Sequence, residues 1–226
     1  MRALVIVLAL ATLGVVPGEA PATAPGVNGK LAFRRFFNPQ HTWAAIFTAS
    51  PDGSAVRQIT HTHRPVADVE PDWSPNGKRI VFQRIDLGGC GGGCETDEID
   101  VVSADGSHLT RIAYDPPGKG CITTGSRPAG GICRSVPTWS PNGKRIAFQC
   151  QVQPSPSDPG YSRICLMNAD GSGLTELPQT PPRGLLDTAP AWSPDGTRIA
   201  FGRGVGDQQA VFVMADDGGD VRQLTP

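Results

Sequence analysis

Aromatic side chains are scarce in this chain of 226 residues: four Trp, two Tyr and eight Phe make up 6% of it, and histidine occurs only four times. An excess charge of either sign is also lacking. Twenty Lys and Arg face twenty-one Asp and Glu, a formal net charge of −1. Such a chain has no surplus of cations to neutralise phosphates or to hold it on an anionic membrane, so nucleic acid is not an expected partner. No apolar run reaches the ~20 residues that a membrane-spanning helix needs. The longest, Leu4 to Val16, follows Arg2 and ends at Pro17-Gly18 ahead of the small residue Ala20. That is the layout of a secretory signal. Residues 1–20 are read as a signal peptide and 21–28 as a short linker, which predicts a periplasmic or secreted protein with no membrane span in its mature chain. No cysteine follows the cleavage point, so a lipid anchor is not indicated. Sustained helical periodicity is missing too, and this argues against a helical bundle.

Glycine (28) and proline (22) are plentiful, as expected where many short strands are joined by turns. Self-similarity gives these residues an order. Pro71 to Phe82 (PDWSPNGKRIVF), Pro137 to Phe148 (PTWSPNGKRIAF) and Pro190 to Phe201 (PAWSPDGTRIAF) are nearly superimposable. Each is followed by a second shared element: Ile99 to Ile112, Ile164 to Leu177 and Val211 to Leu224. A partial copy has Lys30 to Phe33 and then Ile46 to Ile59. Within one unit, Trp139 ends a strand at Ser140-Pro141-Asn142-Gly143, where proline presets the first turn angle and glycine takes the left-handed one. Arg145 to Phe148 and Ile164 to Met167 continue as strands, and Ala169-Asp170-Gly171-Ser172 is a second tight turn. Four antiparallel strands per unit make a propeller blade.

The WSPNGKRIAF and MNADGSGLTEL elements resemble the TolB-type, WD-repeat-like β-propeller repeats, over about residues 29 to 225. The fold expected is therefore all-β: a β-propeller of four-stranded antiparallel blades at about 29–60, 71–112, 137–177 and 190–225, the first one incomplete, in a single domain 29–226. The resemblance implies a toroid, often of six or more blades. Neither an α/β domain like the one ahead of the TolB propeller nor a hydrolase domain is expected here. An open array exposes strand edges and an apolar flank. A fragment of a longer propeller and a homodimer that completes the ring are the two leading expectations.

Tight turns fall at one end of the expected blades and long connections at the other: Ile85 to Asp97, Tyr114 to Val136, Gln149 to Ser162 and Pro178 to Ala189. Varied loops on a rigid scaffold are where recognition usually lies. The expected function is an exported scaffold that binds a protein, peptide or envelope ligand, with no cofactor. The six cysteines read as disulfides, first Cys150 with Cys165 on antiparallel neighbours, then Cys90, Cys94, Cys121 and Cys133 in pairings left open. Asp68 and Asp187 each stand five residues before a repeat tryptophan, with Arg134 at that place in the third unit. They are candidate ligand-binding residues at the mouth of the central channel; the alternative is a turn cap or a hydrogen bond to a neighbouring blade. His61 and His63 offer a metal alternative that would make the protein a propeller lyase or hydrolase. The recurring Ser74, Ser140 and Ser193 lie in turns without a recurring histidine, which argues against nucleophilic catalysis.

Overall fold

The computed structural model describes residues 29–86, 96–114, 132–152, 161–178, 185–205 and 208–226, and every regular element within them is a β-strand. The strands form four antiparallel meanders. The first contains β1 (Leu31–Phe36), β2 (Ala44–Ala49) and β3 (Arg57–Gln58). The second contains β4 (Val66–Trp73), β5 (Arg79–Asp86), β6 (Thr96–Ser103) and β7 (Thr110–Ala113). The third contains β8 (Ile132–Trp139), β9 (Arg145–Val152), β10 (Tyr161–Asn168) and β11 (Thr175–Glu176). The fourth contains β12 (Leu186–Trp192), β13 (Arg198–Val205), β14 (Gln208–Ala215) and β15 (Arg222–Gln223). Single parallel bridges, Ala44 with Ala67 and Ser162 with Leu186, link the first meander to the second and the third to the fourth.

The first strand of each complete meander begins before the repeated Pro-x-Trp. A β-bulge explains why. The register slips between Val69 and Asp72, Ser135 and Thr138, and Thr188 and Ala191. At each slip the residue ahead of the proline, Glu70, Val136 or Ala189, has φ near +50°. Proline has no N–H to lose from the ladder, so a bulge is a place where a strand tolerates it. The repeated motif thus starts at the bulge, and the strand reaches further back into residues that vary between units. Cys133 and Arg134 accordingly belong to β8 and not to the connection expected over Tyr114 to Val136.

The Ser-Pro-Asn/Asp-Gly turns are held by the serine. Ser140 Oγ accepts from Arg145 N at 2.9 Å and lies 2.8 Å from Asn142 Oδ1, while Asn142 Oδ1 accepts from Lys144 N at 3.0 Å. The same arrangement recurs around Ser74 and Ser193. These serines are turn locks, and Ser140 is 1% exposed.

Apolar packing lies between meanders. Val81, Ile99 and Val101 of the second meet Trp139, Ile146, Phe148 and Met167 of the third, and Ala147, Ile164 and Leu177 of the third meet Ile199, Phe201 and Met214 of the fourth. The repeat tryptophans are part of the same seams, capped by the preceding unit: the Arg79 guanidinium stands 4.8 Å from the Trp139 ring and that of Arg145 stands 5.0 Å from Trp192. Asp72 adds a polar stitch, its Oδ2 accepting from Trp139 N at 2.7 Å and from Thr138 Oγ1 at 3.0 Å.

The Asp-Gly turn of a unit also presses on its predecessor. A Cβ on Gly171 (φ +87°) would stand 2.1 Å from the carbonyl oxygen of Ile112, whereas one on Gly53 (φ +82°) would have nothing within 4 Å. Both glycines occupy backbone that L-residues avoid, at a cost of about 1–2 kcal/mol. Gly53→Ala is therefore expected to lose about that much in urea unfolding, and Gly171→Ala clearly more. Equal losses would mean that the 171 turn does not dock on Ile112.

Candidate functional site

One cross-strand register carries all three candidate binding residues. Asp68 pairs with Arg84, Arg134 with Cys150 and Asp187 with Arg203. The positions lie near the starts of β4, β8 and β12 and near the ends of β5, β9 and β13, directly below the strand ends that the long connections join. The three residues expected at a channel mouth are thus brought to equivalent places at the elaborated end of the strands.

They are buried there. Asp68 is 0% exposed, Asp187 1% and Arg134 5%. Asp68 receives two hydrogen bonds from Arg84, Nε to Oδ1 at 2.7 Å and Nη2 to Oδ2 at 2.8 Å. Asp187 is held in the same way by Arg203, at 2.6 and 2.8 Å. A bidentate guanidinium is the strongest partner a carboxylate meets among side chains. A cation approaching either carboxylate has to displace it. Arg134 lines a cavity of about 190 Å³ between the second and third meanders, together with Ile112, Ala113, Tyr114, Met167, Gly171 and Leu174.

Arg84 and Arg203 went unrecognised in the sequence although a signal was present. Each stands two residues after a repeat phenylalanine and 16 residues after its aspartate. Arg134 and Cys150 have the same spacing. The third strand completes the layer. Arg84 Nη1 reaches Asp100 Oδ2 at 2.9 Å. At the corresponding place the Arg203 guanidinium stacks 5.2 Å from Phe212, and Cys150 is joined to Cys165 by a disulfide with Cα atoms 5.9 Å apart. These two cysteines are diagonal and not directly opposed: Cys150 faces Arg163 and Cys165 faces Phe148. Cys90, Cys94 and Cys121, the side chain of Cys133, the signal peptide 1–20 and the linker 21–28 lie outside the described residues.

His61 and His63 are exposed in the segment between β3 and β4, with His63 Nδ1 3.3 Å from the Arg64 carbonyl oxygen. Among the described residues no three His, Cys, Asp or Glu side chains come together as a metal site. No helix of the described residues is long and apolar enough to cross a membrane.

Meanders of antiparallel strands packed face against face in series define a β-propeller. No family model matches the chain, but solved structures do. A protein assigned as TolB from Agrobacterium tumefaciens aligns with 80% of this chain and 56% of its own length, with a TM-score of 0.56 and 23% identity. An oligogalacturonate lyase in complex with manganese aligns with 80% of this chain and 47% of its own, with a TM-score of 0.54 and 14% identity. A chain of a nidogen/laminin complex aligns with 86% and 61%, with a TM-score of 0.53 and 14% identity. The fold is that of TolB-like and other β-propeller proteins, and this chain spans about half to three-fifths of the length of these neighbours.

Burial raises the Asp100 carboxyl from the ordinary 3.8 to about 6, against the pull of Arg84. It raises Asp72, Glu98 and Asp187 as well. A group with a higher pKa in the native than in the unfolded state binds more protons when folded, so its contribution to stability falls as pH rises through the interval between the two values. For Asp100 this interval runs from about pH 4 to 6, and the loss is at most about 3 kcal/mol. Asp100→Asn leaves Arg84 its Asp68 partner and is expected to flatten that fall. At pH 7.5 its melting temperature should be a few degrees above that of the unaltered protein. A lower one would mean that the Arg84 contact outweighs the burial.

Proposed function

We propose that this protein is an exported β-propeller scaffold that binds a protein, peptide or envelope ligand through the connections gathered at one end of its strands. The observation that carries this reading is strand direction. Turns of a few residues close β4 on β5, β8 on β9 and β12 on β13 at one end. The strand ends joined by 87–95, 115–131, 153–160 and 179–184 all lie at the other. Beneath them is the buried layer of Asp68–Arg84, Cys150–Cys165 and Asp187–Arg203, which ties neighbouring strands together just where the connections leave. A rigid base with varied connections is the usual architecture of a recognition surface. One neighbour of this fold is found in a complex of two proteins, nidogen and laminin. Export fits the Cys150–Cys165 disulfide, since such bonds persist in oxidising compartments.

A photo-crosslinking amino acid at Lys119 or Ser157, in two of the connections, is expected to capture a discrete partner in the exporting cell; one at Asn142, in a tight turn, is not. Capture at Asn142 as strong as at Lys119, or none at either connection, would remove the reading.

A metal-dependent lyase or hydrolase using His61 and His63 is the enzymatic alternative, favoured by the lyase among the neighbours. Elemental analysis of the purified chain decides it. The binding reading predicts no stoichiometric transition metal, and a metal lost in the His61→Ala/His63→Ala variant would replace that reading with the enzyme.

A further inference from the structure

We propose that the edge of β1, open among the described residues, is a docking site for an extended segment donated by a different protein, with Asp or Glu opposite Arg35 and a bulky apolar residue opposite Leu31. The site is a sheet edge, so the proposal does not rest on recognition by the connections.

The argument comes from the repeat. β1 corresponds to β5, β9 and β13, each of which is covered on one side by a bulged strand, β4, β8 or β12. β1 pairs with β2 alone, and among the described residues no strand lies along its other edge. Leu31 is equivalent to Ile80, Ile146 and Ile199, which face Trp73, Trp139 and Trp192 across the ladder. Those three isoleucines are all 0% exposed, whereas Leu31 is 53% exposed.

Arg35 is equivalent to Arg84 and Arg203, which are bound bidentately by Asp68 and Asp187. The Arg35 guanidinium rests 4.6 Å from the Phe47 ring, as that of Arg203 rests 5.2 Å from Phe212. It is exposed, and no carboxylate pairs with it among the described residues. One apolar and one cationic residue are thus uncovered at the two positions that a bulged strand covers elsewhere.

The occupant follows from that chemistry. It runs antiparallel to β1, donates and accepts the main-chain hydrogen bonds of a sheet edge, and presents a carboxylate to Arg35. Five residues later, after a bulge, it presents an aromatic or large aliphatic side chain to Leu31, the spacing of Asp68 to Trp73 and of Asp187 to Trp192.

The test uses the mature chain and a fluorescent peptide with the sequence of Leu185–Pro194. Saturable binding is expected in anisotropy titrations. Arg35→Asp should weaken it by at least about tenfold, as expected for the loss of a charge-assisted bidentate contact. A peptide with arginine at the place of Asp187 should bind the Arg35→Asp variant better than it binds the unaltered protein. Because Arg35 is exposed, this variant should melt like the parent, which separates lost binding from lost folding. Absence of saturable binding to the folded chain, or affinity indifferent to Arg35→Asp, overturns the proposal. So does a dimer that Arg35→Asp splits, which would give the edge to a second copy. Binding that appears only after the residues before Gly29 are removed would give it to the chain's own N-terminal segment, and it too overturns the proposal.

Discussion

Contact between successive meanders is the constraint on which the rest of this structure depends. A sheet of three or four short strands has two faces and cannot bury either one alone. Here Ile80, Ile146 and Ile199 reach 0% exposure in seams shared with a neighbouring unit. The repeat is consequently a repeat of interfaces as much as of strands. The tryptophan and the isoleucine after the arginine recur because each meets another unit, and the glycine of the Asp-Gly turn recurs because its φ is positive in every unit, with Gly106 and Gly171 also pressed against the unit before. In such arrays stability resides largely in nearest-neighbour terms.

Below the connections the chain meets one geometric demand with several chemistries. At this register the second strand of each complete meander is fastened by its side chain to a neighbouring strand, to the first strand in the second and fourth meanders and to the third strand in the third. The second meander does so with Asp68–Arg84–Asp100, the fourth with Asp187–Arg203 stacked on Phe212, and the third with the Cys150–Cys165 disulfide. A buried ion pair can be exchanged for another well-packed link at little net cost, because the desolvation of its charges offsets much of their attraction. Losing one partner alone is costly, since it leaves a buried charge without its counterion. Arg134 and Cys150 therefore make sense as a joint change: with no arginine at 150, an aspartate at 134 would have no guanidinium to meet.

The features legible in the sequence are those written within a few consecutive residues. Ser-Pro-Asn-Gly announces a turn and Arg-Ile-Ala-Phe a strand; repetition then makes the assignment of all-β meanders secure. The Cys150–Cys165 link was legible because the two residues fall on strands that must be neighbours, although their diagonal offset was not. The bulges hid the starts of β4, β8 and β12, since a proline ordinarily counts against the interior of a strand. The arginine partners of Asp68 and Asp187 were hidden for another reason. An ion pair between strands leaves no trace in local composition, and only the common spacing of 16 residues links its members.

The two flanks of the array pose different physical problems. At the first meander the feature left uncovered among the described residues is an edge: a row of main-chain groups with Leu31 on it and a cation at Arg35. At the fourth it is a face: Val211 is 42% and Leu224 54% exposed, whereas their counterparts Ile164 and Leu177 in the third meander are 2% and 4% exposed beneath the next unit. An edge is completed by any extended chain with the right charge in the right register, because the main chain supplies most of the contact. A face needs a second surface shaped to it, since dispersion forces reward only close fit. The flanks therefore select partners by different criteria. A single added strand can satisfy the edge at β1, but covering Val211 and Leu224 requires a folded unit.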